Sequence, residues 1–197
     1  MRVACHRFAV RADRIIFPER VDMWIEIGKK RTHDDVVDLL LDCHGRIRAF
    51  SRLAERIADA RGTPEAEIAE AAARVRRYFS VALPLHVADE EESILPRLSG
   101  KDAAVDAALR RMEEEHDGHV EPLRRLVEIC AALAERPADL DAHRARLGQV
   151  AGALVRAFDA HLAAEEETVF PAIRTLLDSE ERAAIFREVR ARRRAQD

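Results

Sequence analysis

The sequence predicts an all-α protein organised as an up-down-up-down four-helix bundle. Seven Gly and seven Pro among 197 residues, together with abundant Ala, Leu, Glu and Arg, favour helices over strands. In four long segments the hydrophobic residues recur every three or four positions, which is the period of a helix with one buried face. Short connections join these segments, so we expect neighbouring helices to run antiparallel.

Residues that cap and break helices give the expected boundaries. The first helix should run from Asp34 to Arg61 and end at Gly62. Thr63 should cap the second helix, with Pro64 in its first position. The second helix should then reach Leu98, the third should span Asp102–Glu135 and the fourth Asp139–Leu177.

Three segments make up the expected domain organisation. Residues 1–30 lack a sustained helical period and form an N-terminal extension, residues 31–178 form the bundle, and residues 179–197 form a short amphipathic helical tail. Within the bundle, Pro84 should kink the second helix one turn before His86, and Pro122 should bend the third helix. The arginines that end the tail are expected to be a helix C-terminal cap region rather than an anion site.

Bulk properties exclude several classes of function. The balance of 33 Lys and Arg against 37 Asp and Glu gives no nucleic-acid signal. No apolar run approaches the roughly 20 residues that cross a bilayer, and Arg11 and Arg14 interrupt any signal-peptide core. We therefore expect a cytoplasmic protein with no membrane or nucleic-acid partner. Three cysteines without a CxxC pair argue against a disulfide framework and a zinc finger.

A segment of 13 residues occurs twice, 75 positions apart. It begins at His86 in the first copy and at His161 in the second, and the His, three consecutive Glu and a Pro recur in register. Each copy places a Glu four residues after the His. Glu90 and Glu165 should therefore lie on the same helical faces as these histidines, about one turn further along.

Histidines also fall on the hydrophobic faces of the first and third helices, so all four helices should direct one into the interior. An ionised carboxylate buried without a partner costs several kcal/mol, and no Lys or Arg shares these faces. Metal ions would supply the missing positive charge, and imidazole with carboxylate suits iron, manganese or zinc. The expected metal ligands are His44, His86, Glu90, His116, His161 and Glu165, with the two Glu bridging two ions.

These residues resemble the ligand set of the hemerythrin-like, or HHE cation-binding, domains. The most specific marks are the segment Asp42–Ile47 and the two His-x3-Glu-Glu-Glu-x3-Pro segments. The resemblance covers about residues 33–177. It implies a four-helix bundle with a non-haem di-iron centre, bridged by the two Glu and an oxo or hydroxo group, with manganese or zinc as alternatives to iron. It also implies a small ligand such as O2, NO or peroxide.

The chain departs from the oxygen-carrying members of that family at two positions. Val120 stands where they have a second histidine on the third helix, and His119 lies beside it. Glu166 stands where they have an aspartate. The pattern is closer to the bacterial sensing, storage or stress-related members than to reversible oxygen carriers.

Several residues near the expected ligands have more than one interpretation. Glu91 and Glu166 are expected to be solvated, with a role as alternative ligands left open, and His119 to support the ligands or lie at the surface. Cys43 is expected to be a packed thiol. The expected function is that of a metal-binding protein that binds or senses O2, NO, peroxide, iron or redox state. A di-iron oxidase or peroxidase-like enzyme and a metal-free helical interaction module are the alternatives.

Overall fold

The computed structural model describes residues 35–195, and every regular element in this range is helical. The predicted all-α fold is confirmed. The expected N-terminal extension over residues 1–30 lies outside the described part of the chain. Between residues 35 and 195, no helix combines the length and the apolar character needed to cross a membrane.

The first two helices begin close to the predicted positions. Helix α1 spans Val36–Asp59, and Asp35 caps it by accepting a hydrogen bond from the Val37 backbone amide at 3.1 Å. Helix α2 is continuous over residues 65–98. The prediction that Thr63 caps it is wrong, because Pro64 occupies the N-cap position without a side-chain hydrogen bond. Pro64 is extended, with ψ at 138°, so the first helical residue is Glu65.

The remaining helices have clear starting signals. Helix α3 spans Ala103–Glu135, and the Asp102 carboxylate accepts hydrogen bonds from its first backbone amides. Helix α4 covers residues 140–176. Helix α5 spans Ser179–Arg194 and begins with a capping box, in which Asp178 and Glu181 each bond to the other's backbone amide.

Three π-helical turns interrupt α2 and α4, and each ends two residues before a proline. In each turn the backbone amide of the residue just before the proline donates a hydrogen bond to the carbonyl five residues earlier. Leu83, for example, donates to the Tyr78 carbonyl. The wider turn relieves the clash between the proline ring and the carbonyl four residues earlier. The disturbance expected from Pro84 therefore takes the form of a π turn, whereas α3 continues unbroken through Pro122. The π turns span Tyr78–Ala82, Glu90–Ile94 and Glu165–Val169.

The four long helices form a ring in which α1 and α3 each pack against both α2 and α4. This is the arrangement of a four-helix bundle, and the up-down-up-down order stays a prediction. Helix α5 packs against α1 and α2 and buries Ile185 and Val189 completely. All five helices contribute to one hydrophobic cluster, which includes Val36, Ile94 and Val169 beside the two α5 residues. The C-terminal segment is therefore part of the same core as the bundle.

Candidate metal centre

Six predicted side chains converge in the interior of the bundle, and none is more than 9% exposed. Helices α1 and α3 each supply one histidine, while α2 and α4 each supply a histidine and a glutamate. Glu90 and Glu165 are the first residues of two π turns, so the change in backbone register begins at each carboxylate. The six residues are His44, His86, Glu90, His116, His161 and Glu165.

The first cluster joins the histidines of α1 and α2. Candidate ligand atoms of His44, His86, Glu90 and Glu165 all lie within 4.8 Å of one another. Nε2 of His86 is 3.1 Å from Oε1 of Glu90. Nε2 of His44 is 3.2 Å from Oε2 of Glu165. Four donors around one small volume are enough to hold a metal ion.

The second cluster joins the histidines of α3 and α4 and uses the same two glutamates. Nε2 of His161 is 3.0 Å from Oε1 of Glu165. Nε2 of His116 is 3.4 Å from Oε2 of Glu90. Each carboxylate therefore directs one oxygen to each pair of histidines, which is the geometry of a ligand that bridges two ions.

Most of the converging atoms have no hydrogen-bond partner within residues 35–195. These atoms are Nε2 of His44, His86 and His116, and both carboxylate oxygens of Glu90 and of Glu165. Buried polar atoms left in this state are costly and rare in folded proteins. Two cations at the clusters would satisfy them, and a set of imidazole and carboxylate donors suits iron, manganese or zinc. The residues present therefore fit a pair of metal ions.

Three of the four histidines are oriented by a carboxylate on the Nδ1 side of the ring, at 2.8 Å in each case. Such a partner fixes the ring so that Nε2 faces the centre. Glu91 and Glu166 were expected to be solvated, and they are partly exposed, yet each orients a histidine of the opposite half. The pairs are Glu166 with His44, Glu91 with His116 and Glu115 with His161.

Glu115 was missed in the sequence because it lies outside the repeated segment. It directly precedes His116, and the matching residue before His44 is Cys43. Glu115 orients His161, but a cysteine cannot orient His86 in the same way. Nδ1 of His86 accordingly has no hydrogen-bond partner among the described residues. Cys43 is a buried thiol, as expected, and its Sγ accepts a hydrogen bond from Nη2 of Arg193 at 3.4 Å.

The arginines at the end of α5 bind a fully buried carboxylate. Nη1 of Arg192 donates to Oδ1 of Asp89 at 3.0 Å, and Nη2 of Arg193 donates to Oδ2 at 2.7 Å. Asp89 is 0% exposed and directly precedes Glu90. The arginines do lie in the last turn of α5, as expected, and two of them in addition bind this buried carboxylate. They tie α5 to the residue beside a candidate ligand.

His119 is buried beside the centre but belongs to neither cluster. The centroid of its ring is 5.3 Å from that of His161 and 4.8 Å from that of Phe158. A cavity of about 320 Å³ is lined by His119, Val120 and His86 among others. The surface alternative for His119 is wrong, and its ring lines this cavity together with His116 and His161.

The glutamates make the metal-free centre a strong binding site for protons. Burial would lower the pKa of His44, but the carboxylates of Glu165 and Glu90 outweigh it and raise the pKa to about 9. Burial also opposes charge on His116, and Glu90 and Glu91 raise its pKa to about 9. At neutral pH both imidazoles therefore carry positive charge where a metal would supply it.

The comparisons with known proteins give the family. Residues 35–132 and 119–195 match the family model described as the Hemerythrin HHE cation binding domain. A protein of Haemophilus influenzae, described as an uncharacterized protein, is 24% identical over 139 residues, which are 68% of this chain and 77% of that protein. The two matched segments contain all six converging residues. The chain belongs to the family of Hemerythrin HHE cation binding domains.

Proposed function

We propose that this protein holds two non-haem iron ions in its interior and uses them to bind or sense O2, NO or peroxide. The observation that carries the proposal is the orientation of Glu90 and Glu165, each of which directs one oxygen to each histidine pair. Membership of a cation-binding family supports the presence of metal, and the imidazole and carboxylate donors support iron.

The number of protein donors leaves room for an exogenous molecule. Each cluster offers two imidazole nitrogens and one oxygen from each of two carboxylates. An octahedral ion takes six donors, so about two positions per ion remain for a bridging oxygen and a small ligand. When bound, iron would supply these open positions and a change of oxidation state.

The protein side chains orient the donors and restrict what reaches them. Glu166, Glu91 and Glu115 hold three of the imidazoles in position. On the α1 side, the ring of Phe170 lies 4.8 Å from that of His44, centroid to centroid, and His44 is fully buried. These contacts close the α1 side of the centre to bulk water.

Metal analysis of protein loaded with ferrous iron under anaerobic conditions tests the proposal. We expect two iron ions per chain, one for each cluster. On exposure to air, an oxo-bridged ferric pair should give near-ultraviolet charge-transfer bands, and zinc-loaded protein should lack them. A chain that stays free of iron, or that binds iron without these bands, would contradict the proposal.

Iron loading is expected to release protons at neutral pH. Because the pKa values of His44 and His116 are about 9, both rings are protonated at pH 7 and must lose a proton before Nε2 binds metal. The same raised values stabilise the folded metal-free protein most below about pH 6.5, the unfolded pKa, and that stability is lost as the pH rises through 9.

Calorimetry in buffers of different ionisation enthalpy measures this release. We expect about two protons per chain at pH 7 from these two rings and almost none above about pH 10. Proton release that stays constant between those two values would show that neither ring is protonated in the metal-free centre.

A further inference from the structure

The cavity that His119 lines lies beside the metal centre without containing its carboxylates. Three candidate ligands, His86, His116 and His161, form part of the cavity wall. The two bridging glutamates, Glu90 and Glu165, do not line it. A molecule in this space would therefore touch histidine rings of the centre and would not meet the groups that join the two clusters.

Much of the remaining wall is apolar, and two of its side chains are aromatic. The rings of Phe79 and Phe158 are nearly parallel, with 2° between their planes and 6.1 Å between their centroids. Leu83, Val87 and Leu123 add aliphatic surface. A dry cavity of about 150 Å³ with such a lining can hold a benzene ring. The volume of about 320 Å³ found here therefore accommodates one substituted ring.

His119 adds a polar group to this apolar wall. Its side chain is 9% exposed and contacts the rings of Phe158 and His161. Within residues 35–195, neither nitrogen of its ring makes a hydrogen bond. A buried imidazole can donate to, or accept from, a hydroxyl or an amino group. It would fix the orientation of a ligand that carries such a group.

The charges around the cavity disfavour an anionic ligand. Glu91 and Asp117 are exposed residues of its lining, and no Lys or Arg of the described chain lines it. Val120, which is 63% exposed, also belongs to the lining, so these residues mark the side that faces solvent. A carboxylate entering there would meet two acidic side chains and no basic one.

We propose that this cavity is a binding site for a neutral molecule with a single aromatic ring and a hydroxyl or amino substituent. The ring packs against Phe79 and Phe158, and the substituent forms a hydrogen bond with His119. This inference goes beyond the proposed di-iron function, because the molecule binds to side chains of the cavity and to neither ion.

Phenol titrated into the metal-free full-length chain, with binding followed by NMR, tests the site. We expect a single phenol per chain with a Kd at or below about 1 mM. Benzoate has the same ring with a negative charge and should bind at least about tenfold more weakly. His119→Phe keeps a ring of similar size without its nitrogens. It should weaken phenol binding by about 2- to 10-fold and leave toluene binding unchanged.

A matched pair of substitutions on α3 assigns the binding to this cavity. Leu123→Trp places an indole in the space and should lower phenol affinity by about tenfold or more. Val127→Trp is the control, because Val127 is also a half-buried apolar residue of α3 but does not line the cavity. Circular dichroism shows that each variant is folded, and the His119→Phe comparison decides the matter if Leu123→Trp is not.

Three results would overturn the inference. They are the absence of saturable phenol binding by the wild-type chain, equal weakening by Leu123→Trp and Val127→Trp, and benzoate binding as tight as that of phenol. Equal losses of phenol and toluene binding in His119→Phe would overturn the assigned hydrogen bond. Phenol binding by a chain that takes up no iron would support this site and contradict the proposed function, so the two can fail separately.

Discussion

Glu165→Gln is expected to remove both of the proposed iron ions, although it changes only one of the six candidate ligands. Oε1 of Glu165 lies 3.0 Å from Nε2 of His161, and Oε2 lies 3.2 Å from Nε2 of His44. Loss of an orienting partner outside the ligand set alone lowers metal affinity about 10–100-fold, so loss of a shared ligand should lower it by more than about 100-fold at each position. The measurement is iron per chain after desalting.

Glu167→Ala is the matched control for this prediction. Glu167 lies in the same π turn but is exposed, so its variant should keep two iron ions. His44→Ala should retain more iron than Glu165→Gln, because His44 belongs to one cluster only. Two ions retained in Glu165→Gln would refute the bridging role and the assignment of the centre.

The double substitution Arg192→Ala and Arg193→Ala is expected to destabilise the fold by about 3–5 kcal/mol, because it leaves the buried Asp89 carboxylate unpaired. Both oxygens of that carboxylate accept hydrogen bonds from these arginines, and the residue is 0% exposed. The expected loss is a large fraction of the total stability of a typical domain. Urea unfolding at pH 7 measures it.

Two comparisons separate the buried charge from a general effect on α5. Arg187→Ala with Arg194→Ala removes the same charge from exposed positions of the helix and should change stability by less than about 1 kcal/mol. Adding Asp89→Asn to the Arg192 and Arg193 variant should restore part of the loss, because the buried group is then neutral. Equal destabilisation by the two arginine pairs would contradict the assigned role of Asp89.

The sequence predicted the helices and the six converging residues because both depend on local spacing. Helical period placed each histidine on a buried face, and the repeat of His86 and Glu90 as His161 and Glu165 indicated two equivalent halves. Four buried faces in one bundle must meet, so local information was sufficient for the convergence that the structure shows.

The surrounding contacts could not be predicted because they join residues far apart in the chain. Glu166 orients His44 across 122 positions, and Arg193 reaches Asp89 across 104. The pairing of charged side chains depends on how particular helices pack. In the sequence, an acidic residue next to a ligand falls outside the buried face, so its position predicts exposure to solvent. The missed cap at Thr63 has a local cause, because the extended backbone of Pro64 delays the helix by one residue.

The π turns explain how a spacing of four can be kept over a long row of buried residues. In an α-helix four residues rotate through about 400°, so three such steps would carry the last side chain roughly 120° away from the first. A π turn is wider, because its hydrogen bonds span five residues instead of four, so a step of four residues inside it falls short of a full rotation. With one π step among the three, part of that drift is removed, so two rows of residues stay on one buried face of their helix: His86, Glu90, Ile94 and Leu98, and likewise His161, Glu165, Val169 and Ile173. The prolines that follow these turns therefore favour a backbone geometry that keeps each glutamate on the same helical face as the buried apolar residues after it.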